Sequence, residues 1–176
     1  ARGGSTVTGA DILPTTGSQA GLDLVTKLFC DPGDVILAEG PTYVGALGVF
    51  GAYEVDVRHV PVDEHGMDPS AVADALDDAA AQGERVPFVY VIPSFQNPTG
   101  VTMPVERRRE LVRVCAERDV MIIEDDPYAL LSFDRAQPLA SMPGVVQHNM
   151  DSLKRAAAEA VELGLGGFML FGIPQT

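Results

Sequence analysis

Tryptophan is absent from this sequence, and lysine occurs only at positions 27 and 154. Basic residues are scarce altogether: 12 Lys and Arg stand against 25 Asp and Glu, giving a formal net charge of -13 and a pI near 4.4. Nucleic acid and anionic membrane surfaces repel such a chain, so neither is expected as a partner. The acidic residues are scattered through helical and loop segments, the pattern of a well-solvated surface rather than a charged tail. Cysteine is limited to Cys30 and Cys115, far apart and each in an apolar, helix-like setting. Reduced, buried thiols of a cytosolic protein are expected there, not a disulfide. No apolar run approaches the roughly 20 residues of a membrane span, and no charged-apolar-small leader opens the chain. An initiator Met is lacking, and Ala1 to Gly9 reads like the middle of something longer, so a fragment is expected. His59, His65 and His148 are scattered without ligand spacing, and no metal is expected. A Gly-x-Ser-x-Gly elbow, a Walker loop and a Gly-x-Gly-x-x-Gly turn are all missing.

What is present is alternation. With 176 residues, 46% of them hydrophobic, the chain can bury one sizeable core. Ser18 to Cys30 carries Leu22, Val25, Leu28 and Phe29 at helical spacing, and Asp31-Pro32-Gly33-Asp34 stops it. Val35 to Ala38 reads as a short buried strand, Pro41 to Phe50 as a turn and helix, and Tyr53 to Val60 as a strand. Asp68-Pro69-Ser70 opens a helix to about Gln82, with an Asp cap and Pro in the first turn. A strand from Pro87 to Ile92, a helix from Pro104 to Arg118 with Leu111, Val112 and Cys115 on one face, and a strand from Val120 to Glu124 follow. Strands separated by helices of this length imply parallel crossovers and a doubly wound α/β sheet. The last segment forms another α/β unit, with a helix over Asp151 to Leu163 and a strand over Gly167 to Phe171.

Polar residues gather at the predicted strand ends. Thr15 to Gln19 ends a strand-like run and opens a helix, and the free N-H groups of such a corner suit a phosphate, although a plain helix cap has the same look. Tyr43, at a turn after a strand, can stack on a heteroaromatic ring or simply pack half-buried. Asn97, before Pro98, has an amide able to donate to a phenolate oxygen, or it is an ordinary Asn-Pro turn. Asp125 sits in the acidic triplet 124–126 at a strand end, where a buried carboxylate wants a cationic partner such as a pyridinium N-H. Tyr128 follows it at a spacing that allows a second hydrogen bond to the same ring oxygen.

Taken together these residues resemble the class I/II aminotransferases, pyridoxal-phosphate enzymes of fold type I. Within them the chain is similar to the branch of 2-aminoadipate aminotransferase and the aminotransferase-like domain of MocR-type regulators. The resemblance runs over about 11–139 and rests on Gly17-Ser18-Gln19 with Leu22-Asp23-Leu24, Asp31-Pro32-Gly33-Asp34, Glu39-Gly40-Pro41-Thr42-Tyr43, Val62-Asp63-Glu64-His65-Gly66-Met67, Pro93 to Gly100 and Glu124 to Tyr128. It implies an incomplete large domain, a three-layer αβα with a mostly parallel sheet, over 1–140. It also implies that the Gly17 corner, through the amides of Ser18 and Gln19, holds the phosphate of pyridoxal 5'-phosphate, with Tyr43 stacked on its ring. Asn97 and Tyr128 would bond the ring hydroxyl, and Asp125 would keep the ring nitrogen protonated, which makes the ring an electron sink. A cis bond before Pro98, amino acid and 2-oxo acid substrates, a homodimer and a cytoplasmic location are implied as well.

The resemblance breaks in two places. The family needs a Schiff-base lysine a few tens of residues after the Asp-x-x-Tyr. Lys27, among apolar neighbours on the first helix, reads as a snorkelling surface residue, and Lys154 has no serine-rich strand before it. From about Pro138 the sequence changes, and residues 141–174 resemble the early barrel segment of porphobilinogen synthase (δ-aminolevulinic acid dehydratase). A junction of two unrelated genes is the expectation, with 141–176 as a short α/β tail; a divergent aminotransferase tail is the alternative. A porphobilinogen synthase fragment, an effector-sensing domain of a transcription regulator and a non-catalytic remnant stay open as other functions. Catalytic turnover by these 176 residues is not expected. Borohydride reduction with added pyridoxal phosphate should give no stoichiometric label on Lys154; a fully labelled Lys154 overturns the expectation.

Overall fold

The computed structural model describes residues 13–128. The chain divides into two compact units, Ala1–Asp126 and Pro127–Thr176, and of the second only Pro127 and Tyr128 are described residues. The expected tail helix and strand, with Lys154, lie outside the described residues. In the first unit helices and strands alternate: α1 (Ser18–Phe29), β1 (Val35–Gly40), α2 (Val44–Ala52), β2 (Asp56–Asp63), β3 (Gly66–Met67), α3 (Pro69–Ala81), β4 (Phe88–Val91), α4 (Val105–Glu117) and β5 (Met121–Glu124). The strands form one sheet in the order β3-β2-β1-β4-β5. All pairings are parallel except β2 with β3.

The period-two alternation of the central strands explains the layering. In β1, Val35 and Leu37 point to one face, and Ile36 and Ala38 to the other. The first face packs on Val72 and Leu76 of α3 and Leu111, Val114 and Cys115 of α4. The second packs on Leu22 of α1 and Ala46, Val49 and Phe50 of α2. Strand β4 is buried throughout, as a parallel strand covered on both sides must be. This is the three-layer arrangement with a mostly parallel sheet that the sequence implies. Asp68 caps α3 through its Oδ1, which accepts from Ser70 N at 3.0 Å, with Pro69 in the first turn.

Several expectations need correction. Leu13 to Thr15 have no strand structure, so α1 is entered from an irregular segment. Leu28 is 74% exposed and Phe29 38% exposed, so neither is buried as its helical spacing predicts. At about 100° per residue Leu28 lies some 120° around the helix from Leu22. The core position is taken instead by Thr26, whose hydroxyl is satisfied by donating to Leu22 O at 2.8 Å. Val112 misses the core in the same way, and Val114 occupies it. The strand expected over Tyr53 to Val60 begins only at Asp56, because Tyr53 and Glu54 close α2, Glu54 with φ 57°. Strand β3, two residues long, was not foreseen. Cys30 and Cys115 are free and buried, and burial pushes both thiols up to about 11, so neither is a ready nucleophile. No helix among the described residues is long and apolar enough to cross a membrane.

Phe50 meets the rings of Phe88 and Tyr90 edge-on, with centroids 6.0 and 5.4 Å away, and is fully buried. Phe50→Ala should lower the unfolding free energy by about 3–5 kcal/mol. Asp68→Ala, which removes one cap, should cost only about 1 kcal/mol. Urea unfolding of both variants checks the ranking, which fails if the cap proves the larger contribution.

Candidate functional site

The chain leaves β1 through α2 toward β2 on one side, and leaves β4 through α4 toward β5 on the other. The connections therefore diverge between β1 and β4, and a crevice opens there at the carboxyl ends of the strands. Helix α1 runs against the strands. Its last turn lies at the opposite edge, where Arg85 donates to Phe29 O at 3.0 Å and pairs with Asp34 just before β1. Twelve residues, about 18 Å of helix, carry its N-terminus back to the carboxyl edge.

Of the five positions expected to form a site, Tyr43, Asn97 and Asp125 follow the carboxyl ends of β1, β4 and β5, and Gly17 opens α1. Gly17 is the N-cap of α1 with φ 105°, a conformation that glycine adopts without strain. No side chain caps the helix, so the first-turn N-H groups at exposed Ser18 and Gln19 remain available. Tyr43 is the half-buried N-cap of α2. Its ring lies across the first turn so closely that a Cβ on Gly45 would fall 2.3 Å from the Tyr43 Cζ. Gly45 is what lets that ring lie there, a requirement not visible in the sequence. Asn97 is half-buried, its peptide bond to Pro98 is cis as expected, and its amide is uncommitted among the described residues.

Asp125 prolongs β5, its N-H donating to Val91 O at 2.9 Å. Two residues beyond Ile123, it shares the face of Tyr90, and its Oδ2 accepts the Tyr90 hydroxyl at 2.7 Å. That partner is neutral, where sequence reasoning looked for a cation. Tyr128 belongs to the second unit and stays a sequence-based assignment.

The loop bearing Asn97 is held from within and below. Met103 N donates to Pro93 O at 2.8 Å, Gln96 N to Val101 O at 2.8 Å and Phe95 N to the Thr102 hydroxyl at 3.1 Å. Phe95 sits at φ 50°, a strained setting for an aromatic residue that these bonds hold in place. From α4, Arg108 donates to Met103 O at 2.9 Å, Pro93 O at 2.7 Å and the Ser94 hydroxyl at 3.1 Å.

Across the crevice the loop is tied to β1 by a buried carboxyl. Glu39 is fully buried at the end of β1, and its Oε2 accepts from Ile92 N at 3.0 Å and Gln96 Nε2 at 3.2 Å. Gln96 also donates to Pro41 O at 2.8 Å and accepts from Thr99 N and the Thr99 hydroxyl at 2.9 and 2.7 Å. Burial pushes the Glu39 carboxyl up to about 7 against the opposing effect of those two donors. Its Oε1 has no hydrogen-bond partner among the described residues. Sequence reasoning missed Glu39 and Gln96 as structural centres; the one signal was an acid closing an apolar run immediately before Gly-Pro.

The sign of the pH effect follows. An unfolded glutamate ionises near 4.5, and the folded Glu39 only near 7. Between those values the folded state keeps a proton that the unfolded state has released, so this contribution to stability is complete below pH 4.5 and falls as pH rises to 7. The full change is roughly 3 kcal/mol. Urea unfolding of wild type against Glu39→Gln at pH 4.5, 6 and 8 should therefore show the wild type losing ground as pH rises; parallel curves would contradict the assignment.

The family described as aminotransferase class I and II matches residues 4–157, past the domain boundary expected at 140. An aromatic-amino-acid aminotransferase of Thermococcus litoralis is 42% identical over 123 residues, 70% of this chain and 30% of the relative. A 2-aminoadipate transaminase of Thermus thermophilus is 42% identical over 127 residues, 72% of this chain and 31% of the relative. The crystal structure of Pyrococcus horikoshii kynurenine aminotransferase in complex with PMP superposes with a TM-score of 0.66 at 41% identity, covering 69% of this chain and 30% of that one. The chain thus spans about a third of the length of the relatives it matches. With the family model covering well over half of its residues, the chain belongs to the class I and II aminotransferases.

Proposed function

We propose that this chain is the cofactor-binding part of an aminotransferase that moves an amino group between an amino acid and a 2-oxo acid, with pyridoxal 5'-phosphate as cofactor. What supports the reading is that an aromatic ring, an uncommitted amide and a carboxylate follow the carboxyl ends of β1, β4 and β5, with an uncapped helix N-terminus at α1. That donor set fits a flat, phosphorylated, nitrogen-bearing ring. A dianionic phosphate suits the N-H groups of Ser18 and Gln19, which Gly17 leaves open to close approach. Tyr43 offers a face for the ring, Asn97 a donor for its hydroxyl oxygen with Tyr128 as a second, and Asp125 a counter-charge for its nitrogen. When bound, the cofactor would supply an electron-withdrawing ring; Asp125 would keep a proton on its nitrogen, and Asn97 would donate to its hydroxyl oxygen.

The amino-acid specificity we assign only to class, since the similar proteins bear both aromatic and 2-aminoadipate names. Homodimeric assembly and a cytoplasmic location go with the reading. So does a domain of 1–140 followed by a tail, 141–176, of the porphobilinogen synthase type, although the family match reaches 157. The alternative functions, porphobilinogen synthase and a MocR-type sensing domain, draw no support from the comparisons.

Pyridoxamine phosphate tests the reading without needing a lysine. Titrated into the 176-residue chain and followed by absorbance, it should bind saturably, and pyridoxamine without phosphate at least tenfold more weakly. Asp125→Asn should weaken pyridoxamine phosphate by about tenfold or more, the loss of a charged hydrogen bond. Equal binding of the two amines, or an unchanged Asp125→Asn variant, sinks the proposal.

A further inference from the structure

A tyrosine in the middle of β4 needs explaining. Tyr90 is 0% exposed, and its ring packs edge-on against Phe50 at 5.4 Å. Phenylalanine would fill the same space without the cost of burying a hydroxyl. That hydroxyl leans along the strand to Asp125, which is two residues past the Tyr90 partner Ile123 and on the same face. Such a diagonal neighbour lies about 7–8 Å away between backbones, within reach of an aromatic side chain. At 2.7 Å the contact is a short bond to a carboxylate oxygen. Burial, and then the hydrogen bond to Asp125, hold the phenol above its ordinary range, so it stays protonated and is the donor in this bond.

We propose that Tyr90 is a positioning residue for Asp125: its hydroxyl engages Oδ2, fixes the plane of the carboxylate and leaves Oδ1 for the ring nitrogen of the cofactor. This rests on the reading that Asp125 meets that nitrogen. The carboxylate is half-exposed just beyond the end of β5, and within the first unit its side chain is held by this bond from the core. A freely rotating carboxylate would spend binding energy on being ordered when the ring arrives, whereas one already oriented does not. The role differs from that of the Glu39 brace, which ties the opposite face of the crevice and touches neither residue through a hydrogen bond.

The test pairs Tyr90→Phe with pyridoxamine phosphate and with its analogue in which CH replaces the ring nitrogen, both titrated into the 176-residue chain. Phenylalanine keeps the contact with Phe50, and the freed Asp125 is half-exposed and can be hydrated, so the variant is expected to fold; its unfolding midpoint checks this. Tyr90→Phe should weaken pyridoxamine phosphate about five- to twentyfold and leave the analogue within about twofold, because the analogue gives Asp125 nothing to pair with. The 15N resonance of the bound, labelled ring nitrogen should move toward the neutral pyridine range in the variant. Equal weakening of both ligands makes Tyr90 merely structural and overturns the proposal, as does no weakening of either. Asp125→Asn separates the two levels. If it too fails to discriminate between the ligands, the role of Asp125 itself falls; if it discriminates and Tyr90→Phe does not, only the role of Tyr90 falls.

Discussion

The carboxyl edge of this sheet depends on one buried contact, the Glu39 carboxyl that joins β1 to the backbone of Ile92 and the amide of Gln96. Sheet hydrogen bonding stops at the strand ends, and β1 and β4 send their chains in opposite directions from there. Nothing in the ladder holds the two departing loops in register. Gln96 does so by reaching from the β4 loop to Glu39 and Pro41 of the β1 loop while its carbonyl oxygen receives Thr99. A buried acid is costly, and its upward-shifted ionisation near neutrality is the measure of that cost. An apolar side chain at 39 would remove the cost and also the acceptor that Ile92 N and Gln96 Nε2 share. Asn97, next in sequence to Gln96, inherits its position from this brace.

The two faces of the sheet carry different tasks. On the α3/α4 side, Arg108 grips the base of the Asn97 loop through three acceptors and lies 3.8 Å from Glu124 of β5, so one guanidinium connects α4, the loop and the edge strand. On the α1/α2 side lie the groups that would touch a ligand: the α1 N-terminus, the Tyr43 ring and Asp125. Strand alternation enforces this split. Leu37 and Val89 point into one core while Ala38 and Tyr90 point into the other, and the polar residues beyond the strand ends continue those two directions. Tyr90 apart, the supporting groups thus lie on the face away from the contact groups.

What was legible in the sequence follows the same division. The strands β1 and β4 declare themselves by short apolar runs bounded by Gly or Pro, and α3 by Asp68-Pro69. Turn-forming residues at 17, 43 and 97 stand out because their backbone requirements are written in residue types. Long-range polar partnerships are not. Gln96 and Glu39 are 57 positions apart, Tyr90 and Asp125 are 35 apart, and no local pattern distinguishes a tyrosine that pairs from one that packs. Helix faces were read too generously at Leu28 and Val112, because hydrophobicity alone does not say which of two neighbouring apolar residues points inward. The threonine at 26 supplied the core contact that a leucine was expected to make.

A strongly acidic chain that receives a phosphorylated ligand must meet the phosphate locally, since its net charge of -13 opposes the ligand at long range. The described arginines are engaged elsewhere or lie on another face. Arg58 is taken by Glu84, Arg85 by Asp34, Arg107 by Asp63, Arg113 by Glu117, Arg118 by Asp77, and Arg108 by the loop it supports, while Arg109 sits on α4, across the sheet from α1. Lys27 is exposed in the last turn of α1, about 13 Å from Ser18 along the helix and nearer the negative end of its dipole. Beyond a Debye length of about 8 Å the acidic surface is screened, so the balance is struck by groups in direct contact. On the proposed reading those are the N-H groups behind Gly17, which are fixed in place by the helix rather than by a flexible charged side chain. On that reading the glycine is as much an electrostatic device as a conformational one, since a side chain there would crowd an anion approaching those donors.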